Sequence, residues 1–290
     1  MPSFQLHSPS DLAELTRLLL ETEGTVLAGG TDLLPRVRRG RLCPAHLVDA
    51  GRLRELRFVR REGPEVVLGA LSTHADLSSS PLVRELAPAL SEACASVGCP
   101  QTRNRGTLGG NIANASPAAD GLPPLLVLEA TAELRGPGGA RAVTLPELLL
   151  GPGRTSLPPA EIIERVRFPA PPAPSGQAFQ KLGRRNGMAI AVASVAALLV
   201  LDERGRIRTA RLALGSLAPT ARRSPTAEEA LRGAEPGEAA FRRAAAAAQA
   251  DAEPIDDLRA SAAHRRRVLE VLVRRALERS LDRAARGRRP

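Results

Sequence analysis

Residues 106–120 read G-T-L-G-G-N-I-A-N-A-S-P-A-A-D and hold three glycines, two asparagines, a serine and a proline. A second stretch of the same kind, V-L-A-G-G-T-D-L-L, occupies 26–34. In each, a turn free of side-chain bulk follows a structured segment. Glycine reaches positive φ without a Cβ penalty and lets a bulky anion approach the main chain; successive amide N–H groups then form a nest with a positive local field. Thr31, Thr107, Asn111, Asn114 and Ser116 add neutral hydrogen-bonding groups. One G-G turn is only a tight turn, whereas two of them suit a diphosphate gripped from both sides. Asp120, nine residues beyond Asn111, places a carboxylate where a ribose or ribityl hydroxyl can donate to it. The standard phosphate signatures do not apply. G-x-x-x-x-G-K-[ST] is absent, and neither cluster is a G-x-G-x-x-G opening a βαβ unit.

With 290 residues, 43% of them hydrophobic, the chain has material for two or three compact units. No stretch approaches the roughly 18 uncharged apolar residues of a membrane helix, and Met1–Ser10 lacks a signal-peptide pattern. A cytoplasmic protein without membrane insertion is expected. Cys43, Cys94 and Cys99 make no even disulfide framework, and with four scattered histidines they show no CxxC or HxxxH spacing, so no metal site is expected. Cys94 and Cys99 read as packing residues. The formal charge of +10 invites a nucleic-acid reading that the composition opposes. Of 41 basic residues one is lysine, leaving 40 arginines spread through the chain. Tyrosine and tryptophan are absent and phenylalanine occurs five times, too few for base-stacking platforms. The terminal R-G-R-R-P reads as a solvated tail.

Ser8-Pro9-Ser10-Asp11 predicts a capped helix running to about Glu21, followed by a short buried strand T-V-L-A and the first glycine turn. His46–Ala50 and Glu65–Ala70 read as strands, with a boundary between them near 52–64 where apolar periodicity is weak. Thr73-His74-Ala75-Asp76 is a capping box, and Pro81–Val97 has the spacing of a helix ending at Gly98. Apolar runs flank G-P-G-G as a hairpin, and Glu161–Phe168 reads as a strand stopped by Pro169. P-A-P-P-A-P-S-G at 169–176 is a stiff connector and a second boundary. Beyond it, apolar runs on either side of D-E-R-G predict paired strands. A short helix follows over Thr226–Leu231, and Leu269, Leu272, Val273, Ala276, Leu277 and Leu281 predict a core-facing terminal helix.

A-G-G-T-D-L and T-L-G-G-N-I-A-N-A-S-P-A-A-D, with the later G-P-G-R-T-S-L-P-P-A-E-I-I and L-A-L-G-S-L-A-P-T, resemble the FAD-binding (medium) subunit of the molybdenum hydroxylases. That group includes carbon monoxide dehydrogenase medium subunits and xanthine dehydrogenase flavin domains. The resemblance spans nearly the whole chain and implies an α+β fold. It comprises a two-part FAD-binding domain (1–58 and 59–172) and a smaller α+β C-terminal domain (177–286) of strands and a terminal helix. It also implies that Val26, Leu27, Ala28, Gly29, Gly30, Thr31, Asp32 and Leu33 wrap one side of the FAD diphosphate. Thr107, Leu108, Gly109, Gly110 and Asn111 would wrap the other. Asn114 and Asp120 would lie near the polar linker of the cofactor, Ile163 against a ring, and Lys181 close to the flavin.

The resemblance further implies a heterotrimer. A large subunit would carry the molybdenum cofactor and a small subunit [2Fe-2S] clusters, whose electrons pass through FAD to NAD, a quinone or dioxygen. Relatives with an extra cluster carry a cysteine-bearing insertion that this chain lacks, so no cluster is expected here. No residue is needed as a general acid or base, and no Ser/His/Asp or Cys/His set suggests covalent catalysis. His264 stands where an aromatic would be expected, so which residue meets the isoalloxazine stays open. Two rival readings remain: a self-contained FAD-dependent oxidoreductase, and a non-catalytic nucleotide-binding protein.

Overall fold

The structure, a computed structural model, describes residues 3–286. Residues 287–290, most of the basic tail read from the sequence, lie outside the described residues. The fold is α+β. Three parallel strands open the chain, in the order Gln5–His7, His46–Asp49, Thr25–Leu27. The helix Leu12–Thr22 connects the first to the third and buries Leu15 and Leu19 against Val48 and Ala50. Its cap is Asp11, whose carboxylate accepts from the Glu14 amide, three residues later than the Ser8 cap expected from sequence.

A five-stranded antiparallel sheet follows, ordered Val59–Glu62, Glu65–Gly69, Ile162–Pro169, Thr131–Gly136, Gly139–Thr144. The strand Ile162–Pro169 enters the middle from far along the chain. Leu71 and Ile162 pack with Leu15, Leu53 and Leu56, so the parallel and antiparallel sheets share a core rather than being joined by a bare linker. Val59–Glu62 is an edge strand in the stretch where periodicity was weak. Three of its four residues are charged and exposed, which hides a strand from pattern reading and protects the edge.

The expected helix over Pro81–Val97 is two helices, Pro81–Leu86 and Pro88–Ala95. Pro88 disfavours helical geometry at the residue before it, and Ala87 sits at φ −140°, ψ 53°. The expected loop after Thr107 contains a short helix, Leu108–Ala113, capped by the Thr107 hydroxyl.

The C-terminal part is a four-stranded antiparallel meander, Ser175–Leu182, Ala193–Leu201, Ile207–Gly215, Arg222–Arg223, backed by the helix Ala262–Arg286. Every residue of Ala193–Leu201 is buried. Ala193, Val195, Ala197, Leu199 and Leu201 meet the helices, while Ala196, Leu198 and Val200 join the core of the antiparallel sheet, because side chains alternate across a strand. The strand is thus sandwiched between the two halves of the molecule. Gly176 lets the terminal helix close down, since a Cβ there would lie 1.9 Å from the Ser280 carbonyl oxygen. On the other side Glu92 accepts hydrogen bonds from Arg279, Arg283 and the Phe179 amide, tying the helix Pro88–Ala95 to the C-terminal part.

Candidate functional site

The strand Thr25–Leu27 runs into Ala28-Gly29-Gly30-Thr31-Asp32 and then the helix Leu33–Arg38. Gly30 takes φ +71°, a left-handed conformation that glycine adopts without a Cβ penalty. Among the described residues, no hydrogen bond engages the amide groups of Gly29, Gly30, Thr31 or Asp32. Four consecutive free donors in a left-handed turn make a concavity suited to an anion.

The second glycine stretch is built differently. Gly106 ends the helix Pro100–Arg105, and Thr107 begins the next. The amides that a bare turn would expose are engaged. Leu108 donates to Ser72 O at 2.9 Å and Gly109 to Ala70 O at 2.8 Å, while Gly110 donates to Thr107 Oγ1 at 3.1 Å and Asn111 to Thr107 O at 2.9 Å. The amide nest expected from both stretches therefore exists only in the first, because Ser72 and Ala70, at the end of the strand Glu65–Gly69, satisfy the second. What the second stretch contributes is a surface without Cβ atoms, flanked by Thr107, Asn111 and Asn114. Gly109 is pressed on Ala70, and a Cβ at Gly110 would meet only the Thr107 hydroxyl, at 2.8 Å.

The two stretches touch. A Cβ on Gly29 would lie 2.0 Å from the Arg105 carbonyl oxygen, and one on Gly106 would lie 3.3 Å from Thr31 Oγ1. Between and beyond them opens a cleft of about 320 Å³. Of the residues singled out from sequence, Val26, Ala28, Gly29, Gly30, Thr31, Asp32, Leu33, Thr107, Gly109, Gly110, Asn111, Asn114 and Ile163 line it. Four others do not. Leu108 is fully buried in the core, and the Leu27 side chain packs behind the turn, 3.2 Å from where a Cβ of Gly30 would be. Asp120 and Lys181 pair with each other.

The Lys181 ammonium donates to Asp120 Oδ2 at 2.5 Å and to Ser96 O at 3.1 Å, with both side chains about nine-tenths buried. Burial pushes the Asp120 carboxyl up to about 6 against the opposing pull of Lys181. The chain's single lysine thus links the strand Ser175–Leu182 to the 106–120 stretch.

Sequence reasoning missed several lining residues, among them Glu161 and the apolar Leu56, Leu71, Val97, Leu157 and Ile162, which make the walls largely apolar. It also missed His74, noted only as part of a capping box. His74 is 3% exposed, and burial, with Arg103 nearby, holds its imidazole down to about 4, so the ring is neutral. Nδ1 of His74 and Oδ1 of Asn111 are buried without a hydrogen-bond partner among the described residues. The charges at the cleft are largely paired, Arg36 with Asp32 at 3.8 Å and Glu161 with Arg141 at 2.9 Å. Free main-chain donors, a Cβ-free floor and apolar walls together fit a dinucleotide. Among the described residues, no group of three or more His, Cys, Asp or Glu could hold a metal ion, and no helix is long and apolar enough to cross a membrane.

Comparison with known proteins identifies the family. The family described as "FAD binding domain in molybdopterin dehydrogenase" matches residues 2–171, and "CO dehydrogenase flavoprotein C-terminal domain" matches 177–280. The carbon monoxide dehydrogenase medium chain of Hydrogenophaga pseudoflava is 37% identical, over 98% of this chain and 99% of that one. A putative xanthine dehydrogenase FAD-binding subunit of Escherichia coli is 32% identical over 93% of this chain and 94% of its own. Among solved structures, carbon monoxide dehydrogenase from Hydrogenophaga pseudoflava superposes with a TM-score of 0.93 at 38% identity, covering 97% of this chain and 98% of the other. Quinoline 2-oxidoreductase from Pseudomonas putida gives 0.92 at 29% identity, covering 98% of each.

Proposed function

This chain belongs to the FAD-binding medium subunits of the molybdenum hydroxylases, and from that membership we propose how its residues hold the cofactor and what it exchanges electrons with. It is an oxidoreductase subunit. FAD, when bound, supplies a two-electron store that is filled from one side and emptied from the other. The amides of Gly29–Asp32 bind the diphosphate, with Thr107, Asn111 and Asn114 as neutral partners and the bare surface of Gly109 and Gly110 allowing close approach. Ile163, with Leu157 and Ile162, covers a ring and excludes water. Lys181 and Asp120, joined to each other, border the polar linker and flavin side of the site. This placement is supported by the position of Asp120 in the stretch whose Asn114 lines the cleft. No side chain of this subunit acts as a general acid or base.

The division into 1–58, 59–172 and 177–286 belongs to the same proposal, the first two parts enclosing the cleft. The partners are a large subunit with the molybdenum cofactor and a small subunit with [2Fe-2S] clusters, in a cytoplasmic heterotrimer. NAD, a quinone or dioxygen is the acceptor. The observation that carries the reading is the contact of the two glycine stretches at Gly29 and Arg105, which makes one cradle of two turns. Purification of a tagged full chain from its own cells tests the assembly. A large and a small chain bearing molybdenum and iron are expected to accompany it, and a chain that purifies alone in an active, substrate-reducible form overturns the partner assignment.

A further inference from the structure

We propose that His74 binds the diphosphate of the dinucleotide, donating a hydrogen bond from its neutral ring to a phosphate oxygen. The proposal rests on the cleft being the FAD site. His74 is held rigidly at the second glycine turn. Thr73 caps its helix, the Thr73 hydroxyl and Asp76 carboxylate bonding reciprocally to each other's amides, and the His74 amide donates to Gly106 O at 3.0 Å. The residue is 97% removed from solvent yet forms part of the cleft wall; Nδ1 is sealed inside, whereas Nε2, bonded to Cδ2 on the edge that faces Gly106, has no hydrogen-bond partner among the described residues. Polar atoms on buried side chains are almost always bonded in folded proteins, so a partnerless Nε2 on the cleft edge of this ring points to a ligand.

The location selects which part of the ligand. A Cβ on Gly106 would lie 3.1 Å from His74 Cδ2 and 3.3 Å from Thr31 Oγ1, so one glycine separates the ring from the four-amide turn. A phosphate cradled by Gly29–Asp32 is then within reach of the imidazole. The neutral state suits the place. Burial first, and the Arg103 guanidinium second, keep the ring uncharged, and a neutral imidazole carries one N–H donor without burying a cation.

The test compares the full chain, with whatever chains accompany it, as wild type, His74→Phe and His74→Asn. Bound FAD is followed by flavin fluorescence and displaced with inorganic pyrophosphate. His74→Phe keeps a flat ring and removes the donor, so FAD should bind about tenfold more weakly and pyrophosphate should compete about tenfold less well. His74→Asn, a neutral donor, should recover most of both. FAD affinity of His74→Phe within twofold of wild type overturns the proposal, as does weakened FAD binding with unchanged pyrophosphate competition. A wild type that takes up no FAD overturns the cleft assignment instead. Should His74→Phe fail to fold, wild-type protein with ¹⁵N-labelled histidine decides. Pyrophosphate should shift the ring signals of one histidine, the one missing from His74→Asn, and unmoved His74 signals contradict the assignment.

Discussion

Gly29 and the Arg105 carbonyl are in such close contact that a Cβ on residue 29 would lie 2.0 Å from the oxygen. Gly29 lies within the first turn and Arg105 is the last helical residue before the second, so this approach fixes the separation of the two glycine stretches. Only glycine allows it, because the obstructing atom is main chain and cannot rotate away.

Gly29→Ala should therefore lower stability by about 1–3 kcal/mol, as overpacking does, and abolish FAD retention. Gly110→Val serves as its contrast. A Cβ at Gly110 meets only the Thr107 hydroxyl, so that variant should stay folded while losing FAD by blocking the approach of phosphate. Melting curves and flavin content of the two proteins check both halves; a Gly110→Val protein that holds FAD normally would make that surface a mere turn.

Lys181→Met removes the cation beside a buried carboxylate and should cost about 3–5 kcal/mol at neutral pH, with Lys181→Met/Asp120→Asn recovering most of it. The pair also predicts a pH dependence. Asp120 titrates at about 6 in the folded chain against an ordinary 3.8, so between those values the folded state holds more proton than the unfolded one. Its contribution to stability is present below pH 4 and is lost as pH rises through 6. Asp120→Asn should flatten that part of the stability profile, measured by thermal melting from pH 4 to 7.

Asp257 predicts the opposite sign. Burial tends to raise its carboxyl, but the amides of Arg259 and Ala260 and the guanidiniums of Arg265 and Arg259 outweigh it and hold it down at about 2. Arg265, itself buried, also donates to the Val192 and Ser216 carbonyls, so the pair ties the 255–260 loop to the C-terminal sheet. The stabilisation is present above pH 4 and is lost as pH falls through 2. Asp257→Asn should lower the melting temperature at pH 7 and change it little near pH 2; equal losses at both would remove the ionic explanation.

Much of this site was legible locally. The turns at 28–32 and 106–107 declare themselves by glycine, and the caps at Thr73 and Thr107 by hydroxyls ahead of helices. The sandwiched strand Ala193–Leu201 announces itself as an unbroken apolar run. The break at Pro88 was also written in the sequence, but the helical spacing on either side of it masked the boundary. What local pattern could not contain was the identity of distant partners. That Ser72 and Ala70 use up the Leu108 and Gly109 amides, leaving one nest instead of two, depends on a strand some forty residues upstream. His74 is hidden for the same reason. A histidine after a capping threonine becomes a cleft residue only once Gly106 folds against it.

The central claim, that the paired glycine stretches hold FAD, is tested most directly by the flavin content of the full chain, purified alone and with its accompanying subunits. One FAD per chain, released intact on denaturation and lost in Gly29→Ala, is the expected result. A folded wild-type chain that carries and takes up no FAD in either form would contradict it.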